Sequence, residues 1–178
     1  MIEARVFVSE IETARKILEA QNALFKGEYC CRDSIYSSVD PLVGIDQEFL
    51  RLRVNEKNIW NEKDVIVAVK YTDQKEIGID SIVPFKQGFD SEDDAKNYIE
   101  DNFKGKYKFN FEFTRTGWQY DLGEDQVDLE KVDDLDNFYT IEFKSPTVEG
   151  LKKLQSLLNV SSAIEGPIAF HMKKFLKP

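Results

Sequence analysis

The order strand, helix, three strands can be read twice along this chain, and that repetition constrains its fold more than any single motif. The first round opens with alternation over 2–8, where Ile2, Ala4, Val6 and Val8 interleave with Glu3, Arg5 and Phe7. Ser9 followed by Glu12 predicts a capped helix whose buried stripe is Ile11, Ala14, Ile17 and Leu18. Strand-like segments follow near 23–36, 48–54 and 64–71. The second round has a weaker strand near 79–89, broken by Pro84 and Gly88, and then a helix opened by Asp90 and Ser91. Strands near 107–120, 124–132 and 138–144 complete it. A helix after Pro146 and a closing strand over 167–175, with His171 inside it, end the chain. The reading is one α+β domain over 1–178 with halves at 1–78 and 79–178. Antiparallel meanders of this length can remove their free edges by closing into a barrel.

Several of these strands are apolar on one face and charged on the other. Arg51 and Arg53 oppose Leu50, Leu52 and Val54, while Lys70 opposes Val65, Val67 and Val69. Gln126, Asp128 and Glu130 oppose Val127 and Leu129, and Thr140, Glu142 and Lys144 oppose Tyr139, Ile141 and Phe143. Two arrangements satisfy this pattern. The charged faces are solvated on an ordinary sheet, or helices cover the apolar faces outside and the charges line the inside of a closed barrel. Periodicity alone leaves both open. Arg115 shares a face with Phe109, Phe111 and Phe113, a stripe that reads as core, unless a bulge intervenes, and on the opposite parity Glu112 would point inward as a substitute acid.

Composition excludes several function classes. Lys and Arg number 24 against 33 Asp and Glu, a net charge of −9, and such a surface repels nucleic-acid phosphates. No apolar run reaches the roughly 20 residues of a membrane span, and Met1 leads into a charged segment, so a cytoplasmic protein is expected. Monomer and homodimer both remain open. Cys30 and Cys31, the only cysteines, are sequence neighbours and make no disulfide scaffold. With a single histidine, a soft-ligand metal site or a histidine-based triad has too few members.

The ordered motifs add a resemblance. Glu3-Ala-Arg5 resembles the end of the ExExK signature of the CYTH, or triphosphate tunnel, superfamily, with Met1 at the first Glu and Arg5 at the Lys. Phe49-Leu-Arg-Leu-Arg53 resembles its LRxR strand, and Val67-Ala-Val-Lys70 the following strand that ends in a phosphate-binding Lys. Asp33-Ser-Ile-Tyr36 with Asp40-Pro41 is similar to the DxYFDxP stretch. LEKVDDLDNFYTIE, from Leu129 to Glu142, resembles the paired C-terminal strands of class IV adenylate cyclase-like members, with Thr140 in place of a Glu. The resemblance implies a closed barrel of about eight strands around a triphosphate compound held with Mg²⁺ or Mn²⁺. It places Arg5, Arg51, Arg53, Lys70 and Arg115 on phosphates and Glu3, Glu130 and Glu142 on metal, with no catalytic residue assigned. Guanidinium groups suit phosphate oxygens because they bind in pairs of hydrogen bonds, and carboxylates suit hard divalent ions. The activity implied is adenylate cyclase-like or triphosphatase-like. Because carboxylates are missing at Met1, at Thr140 and along 82–89, a tunnel that binds a triphosphate or another organic anion without turnover is the alternative.

Overall fold

Eight antiparallel strands close on themselves in the order β1-β5-β4-β3-β2-β6-β7-β8 in the computed structural model, which describes residues 1–160 and 167–176. In chain order these are β1 (Ile2–Val8), β2 (Leu24–Ser38), β3 (Glu48–Lys57), β4 (Val65–Gln74), β5 (Ile79–Phe89), β6 (Tyr107–Leu122), β7 (Asp125–Val132) and β8 (Tyr139–Ser145). The helices are α1 (Glu12–Ala20), α2 (Glu92–Phe103), α3 (Val148–Leu157) and α4 (Ile168–Phe175). The two halves are joined within the ring, β1 pairing with β8 and β2 with β6. Of the two arrangements left open by periodicity, this is the closed one. No helix among the described residues is long and apolar enough to cross a membrane.

The apolar faces point outward and are covered. Val6, Val127, Leu129, Ile141 and Phe143 pack beneath Ala14 and Leu18 of α1 and Leu151 and Leu154 of α3. On the opposite side Leu50, Leu52, Val67 and Val69 pack beneath Ala95 and Ile99 of α2. Each such side chain removed from water contributes about 1.5–3 kcal/mol, which holds the charged faces inward. Helix starts follow from local chemistry. Ser91 caps α2 by accepting from the Asp94 amide at 3.1 Å, and Thr147 caps α3 by accepting from the Gly150 amide at 3.0 Å. Ser9 does not cap α1 as expected. The helix begins later, with Ile11 at its N-cap, and the Glu10 carboxylate accepts the Thr13 amide instead.

Three further expectations are corrected. Residues 168–175 form α4 and not a strand, because a closed ring offers no edge to pair with. Ala169 and Met172 of this helix seal one end of the barrel against the inward-facing Ile35, Phe49, Phe111 and Phe113. His171 therefore lies on a helix, its ring edge-on to Phe7 at 5.2 Å. The phenylalanine stripe is broken. A register shift lets Phe111 oppose Ile35 while Phe109 opposes Tyr36, so Phe109 leaves the interior and is 58% exposed. Phe111, Phe113 and Arg115 do share the inner face. Glu112 points outward, where its carboxylate accepts from Arg32 at 2.9 Å and from Ser34.

The ring is thinnest at its β1–β5 seam, where Ile2 meets Asp80 and Glu3 meets Ile79 and no further rung forms. Beyond it β5 pairs only with β4, which explains how Pro84 is accommodated: it lies where that ladder shifts register opposite Lys70. Gly78 turns the chain into β5 at φ +77, and a Cβ there would sit 2.1 Å from the Glu3 carbonyl oxygen. Gly78→Ala combines a left-handed backbone with a backbone clash at the seam. It is expected to cost about 2–4 kcal/mol, read as a lower midpoint in urea unfolding.

Candidate functional site

Because side chains alternate along a strand, closing the barrel gathers the charged positions of seven strands around one cavity of about 270 Å³. All the sequence-predicted phosphate residues, Arg5, Arg51, Arg53, Lys70 and Arg115, line it, together with Glu3 and Glu142 of the predicted metal residues. Glu130 is buried just behind, at 1% exposure.

Most of these charges already have partners. Arg53 grips Asp33 with two hydrogen bonds of 2.7 and 2.8 Å, and Arg115 donates to the same carboxylate at 3.2 Å. Arg115 also donates to Glu130 at 2.7 Å. Arg5 reaches Glu130, Glu142 and the Thr140 hydroxyl, the last at 2.6 Å. The Tyr29 hydroxyl donates to Glu130, and Lys144 lies 2.8 Å from Asp128 and 3.0 Å from Glu142. Burial by itself would raise the carboxyl groups of Asp33, Glu130 and Glu142. Arg53 and Arg51 outweigh it at Asp33, Arg115 and Arg5 at Glu130, and Arg5 and Lys144 at Glu142, so all three stay below the usual carboxylate range. Asp128 is the exception, pushed up to about 6 by burial despite Lys144.

Two cations stand apart. The Arg51 Nε is 3.9 Å from Asp33, outside hydrogen-bonding distance, and is buried with no hydrogen-bond partner. Lys70 makes no ion pair or hydrogen bond among the described residues. Burial is the main influence on both and pulls them down, Arg51 to about 10 with Arg53 adding to the effect. Lys70 falls to about 8, with Glu3 opposing. Two poorly compensated cations facing one cavity are costly without an anion between them.

The carboxylates do not fit a divalent metal as they are disposed. Mg²⁺ asks for several free oxygens in near-octahedral array, whereas both oxygens of Glu130 and of Glu142 are engaged by cationic or hydroxyl donors. Glu3 accepts from Ser81 at 2.9 Å. No group of three or more His, Cys, Asp or Glu able to hold a metal is present among the described residues. Thr140, at the position where the resembling motif has a Glu, instead shares the Arg5 guanidinium with Glu130.

Sequence reading did not assign Asp33, Tyr29, Lys144 or Trp60 a place in the site. Lys144 had a usable signal, since it keeps the period-two parity of Glu142 on β8, whereas no residue of β2 was assigned that could have pointed to Asp33. Trp60 had none. It lies on the loop between β3 and β4, its ring 4.7 Å from Tyr29 and its indole N–H donating to Gln119 at 3.1 Å.

No family model and no curated relative matches this chain. Solved structures do. The PH1819 protein of Pyrococcus horikoshii superposes with a TM-score of 0.74 at 18% identity, covering 98% of this chain and 99% of that one. The fold is shared. A candidate adenylyl cyclase of Hippeastrum, HpAC1, described as having a dominant triphosphatase activity, gives 0.65 at 15% identity over 99% and 97% of the two chains. A candidate adenylate cyclase of Bacillus halodurans gives 0.63 at 14% identity over 99% and 97%. At these identities the likeness establishes the barrel and its helices, and the chemistry must be argued from the side chains.

Proposed function

We propose that the barrel binds a triphosphate compound, with phosphate oxygens taken up by Arg51 and Lys70 and then by Arg5, Arg53 and Arg115. The observation that carries this reading is a pair of half-buried cations facing a cavity of about 270 Å³, Arg51 with only a distant carboxylate at 3.9 Å and Lys70 with no ion pair among the described residues. A phosphate anion there restores both groups to their ordinary ionisation and satisfies the orphaned Arg51 Nε. The CYTH resemblance of the strands carrying Arg51, Arg53 and Lys70 supports the same ligand class.

Binding without turnover is the form the side chains favour, because Glu130 and Glu142 are committed to Arg5, Arg115 and Lys144. Turnover is the second reading, favoured by the triphosphatase activity described for HpAC1. In a cyclase-like reaction the 3′-hydroxyl of ATP attacks the α-phosphorus and pyrophosphate leaves. In a triphosphatase-like reaction water attacks the γ-phosphorus, the bond to the β,γ-bridging oxygen breaks, and the diphosphate leaves as inorganic phosphate forms. Calorimetric titration with inorganic triphosphate and with ATP, each with and without Mg²⁺ or Mn²⁺, separates the two when the mixtures are assayed for cyclic AMP, pyrophosphate and phosphate. Saturable binding without product is expected. Metal-dependent product formation would establish the enzyme reading, and absence of any binding would refute both.

A further inference from the structure

The arginines of β3 and β6 face a carboxylate that already occupies the position a phosphate would seek. Asp33, on β2, is 1% exposed and lies opposite Arg53 across the β2–β3 ladder. Its two oxygens take the paired donors of Arg53 at 2.7 and 2.8 Å and one donor of Arg115 at 3.2 Å, with Arg51 at 3.9 Å. The bidentate face of a guanidinium is the one that recognises phosphate as well as carboxylate. One side chain therefore neutralises part of the cavity from within. Of the seven cations lining the cavity, Arg5, Arg53, Lys86, Arg115 and Lys144 are hydrogen-bonded to carboxylates, which leaves Arg51 and Lys70 for a ligand. A triphosphate chain carries more negative charge than two cations neutralise.

We infer that Asp33 is a specificity-determining residue, a built-in counter-charge that competes with ligand phosphate for Arg53 and Arg115 and limits the charge of anion the cavity takes without metal. The inference rests on the proposed reading of the barrel as a phosphate site. Binding a long polyphosphate must either displace the Asp33 carboxylate from its arginines or hold an anion beside it, and both weaken the complex. A single phosphate or a pyrophosphate engages Arg51 and Lys70 with less of that conflict.

The test titrates inorganic phosphate, pyrophosphate and triphosphate into the unmodified protein and Asp33→Asn in EDTA. Asparagine keeps the shape and one acceptor oxygen but removes the charge. Triphosphate affinity is expected to rise at least about tenfold in Asp33→Asn, about 1.4 kcal/mol, while phosphate affinity changes less. The ligand-free variant should melt lower than the unmodified protein, yet gain more in melting temperature from added triphosphate, a response that a purely structural Asp33 would not give. A smaller rise, or a fall, in triphosphate affinity overturns the inference while leaving the phosphate site in place. If no anion binds either protein, the site reading itself fails. Should Asp33→Asn not fold, the ranking in the unmodified protein decides. Triphosphate within about tenfold of pyrophosphate supports the counter-charge, and a wider gap in favour of triphosphate overturns it.

Discussion

Replacing Lys70 with methionine is expected to remove most of the triphosphate affinity and, in the same protein, to raise the melting temperature without ligand. The two effects have one cause. Lys70 is an ammonium group that burial pulls from 10.5 to about 8, with no ion pair among the described residues. Each unit of such displacement corresponds to about 1.4 kcal/mol of preference for the neutral form, so holding the charge in place costs on the order of 1–3 kcal/mol. Methionine fills similar volume without that cost, and a gain of about 3–8 °C follows for a chain of this size. The lost charge-assisted contact to phosphate is worth about 1.5–3 kcal/mol, which predicts about a 10- to 150-fold weaker complex by calorimetry. The same lysine fixes a pH dependence. Its folded pKa lies below the unfolded value, so between about 8 and 10.5 the unfolded chain binds more protons and stability rises with pH. Triphosphate affinity falls across that window, because the ammonium is being lost from the site. Melting curves and titrations at several pH values between 7 and 10 check both slopes, and Lys70→Met should flatten them. Unchanged affinity in Lys70→Met would take this residue out of the site.

Glu130→Leu is expected to be the most damaging single replacement in the interior. Glu130 receives Arg5, Arg115 and the Tyr29 hydroxyl and is 1% exposed. Removing it leaves two buried guanidinium groups and a buried hydroxyl short of their partner, and breaking one side of a buried ion pair costs about 3–5 kcal/mol. The expected result is a melting temperature about 6–20 °C lower, with little rescue by salt because the pair is shielded from solvent. Glu130→Gln, which preserves an acceptor, should lose less. The result discriminates between two roles. A residue whose main work is to hold a metal would leave the metal-free melting temperature nearly unchanged when replaced, whereas the residue that neutralises Arg5 and Arg115 would not. Glu130→Leu melting as the unmodified protein does would return Glu130 to the metal.

How much of this was legible beforehand depends on the range of the signal. The element order and the charged faces of β3, β4, β7 and β8 follow from period-two alternation, which needs only neighbouring residues; that these faces turn inward, and that Arg51, Arg53, Lys70, Glu130 and Glu142 belong to the site, came from the CYTH resemblance. α4 was misread because Ile168, Ala169 and Met172 make an apolar run too short for periodicity to distinguish helix from strand. The exit of Phe109 depends on one unpaired residue in β6, and nothing local to the stripe announces it. The role of Asp33 was out of reach for a different reason. It depends on Arg53 and Arg115 arriving from positions 20 and 82 residues away, and only ring closure brings all three together.

The β1–β8 ladder also sets an order of events. Seven rungs join Ile2 through Val8 to Ser145 through Tyr139, so the strand synthesised earliest is zipped to the one synthesised last of the eight. Until β8 leaves the ribosome, β1 has only its two-rung hold on β5, and Arg5 must wait for Glu142, 137 residues further on. Contacts that distant form late because the intervening chain must first be drawn together. A nascent or truncated chain ending before β8 would therefore present two unpaired strand edges, on β1 and β7, and an Arg5 lacking one of its two carboxylates. That is the state in which neighbouring copies pair with one another rather than with themselves.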